Sequence, residues 1–279
     1  MASFSWRKII SSFYTDQLSS GDKTRVLLVL IAYYLSVVLP HKRFGAFLND
    51  VVFKGVARDQ YNLIVLIGAI LVFTGLLIIF FKNTAYSKER NKLRIYLLFN
   101  TLFAIVVVKT LFVINIELIH FPQYALFAIL VFPLARCYNS ALLWSFQAGA
   151  IDEAYQYFYL APNDTAYYDF NDLVTNLVGA AFGLIFLISF GIQEKQNCSV
   201  IKSVAFKSLV LIGGVILILL LVGFLSIYPS QESTYQLVRE QALSFWSTVP
   251  LGFTYHIITP PEGIFVLSLL FVFYSRIGK

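Results

Sequence analysis

The sequence predicts an all-α protein: a polytopic transmembrane helical bundle of about eight spans, with seven as the alternative count. Three observations lead there. Hydrophobic residues make up 58% of the 279-residue chain and charged residues 13%, where a soluble domain is about one quarter charged. Mean hydropathy is +0.75, so water cannot solvate most of the chain. Long uncharged runs, 61–81 and 208–228 among them, each reach about 20 residues, enough to cross a ~30 Å hydrocarbon core as helix.

In chain order, residues 1–25 form a cytoplasmic N-terminal segment. Trp6, Ile9, Ile10 and Phe13 repeat there at helical spacing beside Arg7 and Lys8, the pattern of an amphipathic helix lying on a membrane surface. Three spans follow within 26–115, at 26–39, 61–81 and 95–114. The first apolar run is followed by Pro40, His41, Lys42 and Arg43 and by no small-residue cleavage site, so it reads as a span and not as a signal peptide. A core of three spans, at 121–135, 140–159 and 170–192, occupies 116–194. The last segment, 195–279, holds spans at 208–228 and 260–275 on either side of an outer amphipathic loop, 229–259, with its own stripe of Tyr235, Val238, Ala242, Phe245 and Trp246. Thr259, Pro260, Pro261 and Glu262 supply an N-cap, a proline at the first helical position and a capping-box acid. From Pro260 that last span is only about 16 residues, near 24 Å, so half-burial is an alternative to full crossing.

Basic residues set the orientation. With the N-terminus cytoplasmic, fifteen of the 21 Lys and Arg fall in inner segments, five in outer ones, and Lys109 within a span. That excess favours both termini inside, although Lys42, Arg43, Lys54 and Arg58 crowd the first outer loop. The net charge of +6 suits anionic lipid head groups and not nucleic acid. Cys137 and Cys198 fall on the cytoplasmic side, where thiols stay reduced, so the sequence predicts no disulfide framework. No CxxC or Cys/His set for structural zinc is present.

Polar residues inside spans are costly and usually have a reason. Glu117, His120, Gln123 and Tyr124 open the fourth span, and Glu117, His120 and Tyr124 share a helix face. Asp152, Glu153 and Gln156 close the fifth; Asp152 and Gln156 share a face, with Glu153 about 100° away. Asp169, Asp172 and Asn176 open the sixth, and Gly179 and Gly183 continue that face as GxxxG, the pattern of close helix approach. Alternating spans bring all three clusters to the outer leaflet. Each has a plain alternative: Asp169 as an N-cap with Asp172 at N3, His120 as an interfacial hydrogen-bonder, Asn176 as a helix bridge. Adjacent Asp152 and Glu153 in an apolar run are the hardest to explain structurally.

These residues resemble the VanZ-like family of bacterial membrane proteins over 116–186, about a quarter of the chain. The matching pieces are Glu117 with His120-Phe121-Pro122-Gln123-Tyr124, then Asp152-Glu153-Ala154-Tyr155-Gln156, then Asp172, Asn176, Gly179 and Gly183. The family's Pro-x-Arg between the second and third pieces is absent: Pro162 is present, but 157–171 holds no arginine. The resemblance implies a bacterial inner membrane and a role in the cell envelope; the family's namesake is linked to low-level glycopeptide antibiotic resistance.

Three functions stay open. One is a membrane protein that binds an envelope lipid, a lipid-linked precursor or a partner protein at its outer face through Glu117, His120, Tyr124, Glu153, Gln156, Asp169, Asp172 and Asn176. The second is an enzyme in which His120, Asp152, Glu153 and Asp172 act as acid and base or hold a metal. The third is a transporter. The expected partners are membrane lipids, with other membrane-protein subunits as an alternative; the cofactor is unknown. No nucleophile elbow, HExxH, P-loop or kinase signature supports a specific enzyme, and no inverted repeat supports transport.

Overall fold

The computed structural model describes residues 19–277 except 86, 114, 161, 163–165, 196–197, 241–243 and 249–253. The amphipathic stripe of Trp6, Ile9, Ile10 and Phe13 therefore lies outside the described residues, as does Ala242 of the loop stripe. The chain is 72% helical with little sheet.

A cap begins the first helix, α1 (Ser20–Val38): the Ser19 hydroxyl accepts the Asp22 N–H at 3.1 Å. A short helix not anticipated from sequence, α2 (His41–Phe47), follows the turn after α1. Then come α3 (Arg58–Thr84), α4 (Arg90–Thr110), α5 (His120–Ala135), α6 (Tyr138–Tyr155), α7 (Phe170–Ser189), α8 (Val204–Leu221) and α9 (Pro260–Tyr274). Each predicted span corresponds to one helix. Five helical segments, Arg58–Thr84, Arg90–Thr110, Ile116–Ala135, Phe170–Ser189 and Val204–Leu221, are long and apolar enough to cross a membrane. The start signal of α9 is present: the Glu262 carboxylate accepts both the Thr259 N–H and the Thr259 hydroxyl at 2.8 Å.

Burial ranks these helices. The apolar window of α7 is 89% buried, whereas those of α3 and α8 are 6% buried. The most apolar helices thus stand at the periphery with Leu71, Val72, Leu211 and Leu217 exposed, as expected where lipid and not protein covers them. The central helix packs against α4, α5, α6 and α9. Gly179 and Gly183 make this possible. A Cβ at Gly179 would lie 2.7 Å from the Phe121 carbonyl oxygen, and one at Gly183 would collide with the Ala125 carbonyl. The backbone of α5 therefore rests directly on that of α7.

Two polar pins cross the bundle. Asn100 on α4 donates to the Val178 carbonyl at 3.2 Å and accepts from the Tyr274 hydroxyl. Gln147 on α6 donates to the Ala205 carbonyl at 3.0 Å and accepts the Ser208 hydroxyl at 2.6 Å. At one end of the bundle Arg136, in a left-handed conformation with φ 56°, turns α5 into α6. There the structure joins Cys137 and Cys198 in a disulfide, with Cα atoms 5.8 Å apart, against the expectation of two reduced thiols. The cause is local: Lys195 N–H donates to the Arg136 carbonyl at 2.9 Å, and Tyr138 reaches the carbonyl of Ile192, drawing the segment after α7 onto the start of α6.

At the other end, the 229–259 loop contains no described helix. Leu225–Ser226 pairs in parallel with Tyr235–Gln236, and Ser247–Thr248 pairs antiparallel with Thr254–Tyr255. The helical stripe read there is corrected: Tyr235 lies in a strand, while Phe245 and Trp246 precede one. Backbone pairing sets this conformation. Phe245 and Trp246 remain 61% and 46% exposed, so their apolar character is kept at the surface.

Candidate functional site

Three successive helix ends meet at the loop end of the bundle. His120 is the first residue of α5, Asp152 and Glu153 lie in the last turn of α6, and Asp172 stands in the first turn of α7. His120 Nε2 is 3.4 Å from Asp172 Oδ2, and His120 Nδ1 is 2.9 Å from Asn176 Oδ1. The Tyr124 hydroxyl donates to Asp152 Oδ2 at 3.2 Å. Gln156 Nε2 donates to Asp152 Oδ1 at 3.1 Å and to Glu153 Oε1 at 3.3 Å. His120 and Glu153 are each 3% exposed, Asp152 and Asn176 1%. The two α6 carboxylates, placed about 100° apart by helical geometry, are joined by Gln156 in the π-turn Gln156–Leu160 that ends the helix, and the polar cluster so formed is termed the chamber.

The remaining predicted residues divide. Asp169 is the N-cap of α7, its Oδ1 accepting the N–H groups of Asn171 at 2.8 Å and Asp172 at 3.1 Å. Asp172 occupies the N3 position beside it, favoured by the helix dipole, and also faces His120. Glu117 lies in the 3-10 turn Asn115–Ile119, where its carboxylate accepts the Val113 N–H at 3.2 Å. It serves that turn while its helix partners His120 and Tyr124 serve the chamber.

Sequence reasoning missed three residues here. His41, at the start of α2, has its ring 6.1 Å from that of His120. Tyr34 on α1 donates to the Ala148 carbonyl at 2.8 Å, beside the Asp152 turn. Asn171 ties the chamber wall together, donating to the carbonyls of Leu111 at 3.3 Å and His256 at 2.8 Å and accepting the Ile258 N–H at 2.9 Å. The position of Asn171 beside the Asp169 cap was the one available signal. Nothing local to His41 or Tyr34 reports a neighbour so far along the chain.

Chemically, the chamber concentrates acid. Among the described residues no lysine or arginine forms an ion pair with Asp152, Glu153, Asp169 or Asp172; the basic group in contact is the His120 imidazole. Buried carboxylates need a compensating partner. Donor atoms of His120, Glu153 and Asp172 all lie within 4.8 Å of one another, so these three residues could hold a metal ion. A second such group, Cys137, Glu194 and Cys198, sits at the disulfide end, where the S–S bond leaves no thiolate to bind an ion. No protein-family model, curated protein or solved structure matches the chain.

Proposed function

We propose that the chain is an integral protein of a bacterial inner membrane that crosses it eight times, with both termini cytoplasmic. On this reading it binds the polar head of an envelope lipid or lipid-linked precursor in a chamber at the outer leaflet. The observation that carries the reading is the convergence of His120, Glu153 and Asp172, from three successive helix ends, into one largely buried polar cluster. Supporting it, the chamber sits inside a bundle whose flanks are strongly apolar, so a ligand with a lipid tail can keep the tail in the bilayer while its head enters. His120 and Tyr124, Asp152 and Glu153, and Asp172 and Asn176 come from the three motifs that resemble those of VanZ-like proteins, and this resemblance supports an envelope role. An uninterrupted α7 suits a fixed binding site better than the broken helices of transporters.

Native mass spectrometry of the full chain, extracted from bacterial membranes, tests this. The wild type is expected to carry a co-purified lipid that Glu153→Gln loses. Identical lipid in both, or none in either, would overturn the reading. The alternative, an enzyme acting on the same ligand, is favoured by the pairing of an imidazole with two carboxylates, which suits acid–base work. Turnover of the co-purified lipid by wild type and not by Asp172→Asn would select it.

A further inference from the structure

We propose that His120, Glu153 and Asp172 form a divalent-cation site for an ion of the zinc or manganese class, with Asn176 as its positioning residue. One imidazole and two carboxylates make a mixed nitrogen and oxygen donor set, which suits these borderline ions better than the all-oxygen sites of calcium. The spacing agrees. A charge-assisted N–H···O bond is about 2.7–2.9 Å long, so 3.4 Å between His120 Nε2 and Asp172 Oδ2 is long for a direct bond. Two donors each about 2.1 Å from a tetrahedral ion stand about 3.4 Å apart. The Glu153 carboxylate lies within 4.8 Å of both and completes the set.

Asn176 supplies the independent observation. Its Oδ1 can only accept, so the 2.9 Å contact fixes the hydrogen of His120 on Nδ1. That leaves the Nε2 lone pair free for a metal ion on the side of Asp172, the arrangement in which metal-binding histidines are held by an outer partner. Asn176 Nδ2 is buried without a hydrogen-bond partner among the described residues. A Cβ at position 149 would stand 3.0 Å from it, so Gly149 keeps that side of the amide open. A water or head-group oxygen beside the cluster would satisfy this donor. The charge balance points the same way. Asp152 and Glu153 are buried and Asp172 is part-buried, and a divalent ion offsets two of these three carboxyls where no lysine or arginine does so among the described residues.

This inference shares the chamber of the lipid-binding reading but does not require the lipid, so the two fail separately. The test uses the full chain in detergent micelles, stripped with chelator and titrated with Co2+, Zn2+ and Mn2+. One ion per chain is expected, and bound Co2+ should show only the weak visible bands of nitrogen and oxygen ligands. Glu153→Gln and Asp172→Asn should weaken uptake by on the order of 100-fold, and Asn176→Ala by about 10–100-fold. Asn176→Asp, which keeps an acceptor for Nδ1, should restore it. Three results would each overturn the site: no stoichiometric uptake by the unmodified chain, intense near-ultraviolet sulfur-to-cobalt bands placing the ion at Cys137 and Cys198, or uptake unchanged in Glu153→Gln and Asp172→Asn. Should either variant fail to fold, the cobalt spectrum of the unmodified chain still decides.

Discussion

At the scale of single residues, the chamber separates groups that fold the chain from groups held ready for something else. Asp169 completes a cap and Asn171 stitches three segments, so both have structural work. Glu153 differs: its one described hydrogen bond is the 3.3 Å contact from Gln156, which a glutamine carbonyl accepts equally well. Glu153→Gln should therefore leave expression and the thermal midpoint in detergent almost unchanged while abolishing the biological phenotype. Collapse of the variant would make Glu153 a structural hydrogen-bonding group. Asn176→Leu should behave in the opposite way. It leaves the buried His120 Nδ1–H without its acceptor, a loss of about 1–3 kcal/mol, read as a clear fall in the melting midpoint; a midpoint equal to wild type would contradict the assigned bond. The candidates at the helix ends were legible because carboxylates and histidine stand out in apolar sequence. Asn100 and Gln147 are as buried but lie singly within spans, where sequence does not distinguish a bundle pin from a tolerated polar residue.

At the scale of elements, contact between α5 and α7 holds the chamber, because His120 and Asp172 stand on those two helices. Gly183→Ala tests it. The new methyl would collide with the Ala125 carbonyl, a backbone atom that cannot swing aside, so a cost of about 1–3 kcal/mol is expected from overpacking. Gly213→Ala on α8 is the matched control. Its Cβ would meet nothing within 4 Å, and alanine is favoured over glycine in a helix by about 0.5–1 kcal/mol. Thermal unfolding in one detergent should show the first variant destabilised and the second equal to or above wild type. Similar midpoints would mean the two helices are not in backbone contact. The order of the long helices was legible because twenty-residue apolar runs have few other uses, whereas five helical segments, not eight, are long and apolar enough to cross a membrane. The ranking of helices was not: 208–228 is among the most apolar runs yet α8 is peripheral, because apolarity alone does not say whether lipid or protein covers a helix. The small strands of the 229–259 loop were misread as a helical stripe, since Tyr235, Val238, Phe245 and Trp246 fit a helical period without obeying it.

For the whole molecule, two features at one end of the bundle disagree about which compartment that end faces, and an experiment on orientation resolves this. The end bearing Cys137 and Cys198 also carries Arg136, Lys195 and Lys202. Its positive charge points to the cytoplasm, whereas a stable disulfide points to an oxidising compartment. Sequence could not expose the conflict, because two cysteines 61 residues apart carry no sign of contact until the turn at Arg136 and the segment after α7 are folded together. Basic residues act during insertion, before any disulfide forms, so they should prevail. A reporter fused after Lys279 should then be cytoplasmic, and one within 229–259 extracytoplasmic. In intact cells Cys137 and Cys198 should resist a membrane-impermeant maleimide, even after treatment with an impermeant reductant, and react with a permeant one once the cytoplasm is reducing. The disulfide would in that case be a clasp that opens and closes with cytoplasmic redox state, at the end of the bundle away from the chamber. Labelling by the impermeant reagent, together with an extracytoplasmic Lys279 reporter, would invert the molecule. The acidic chamber would then face the cytoplasm, and the proposed envelope ligand would lose its access.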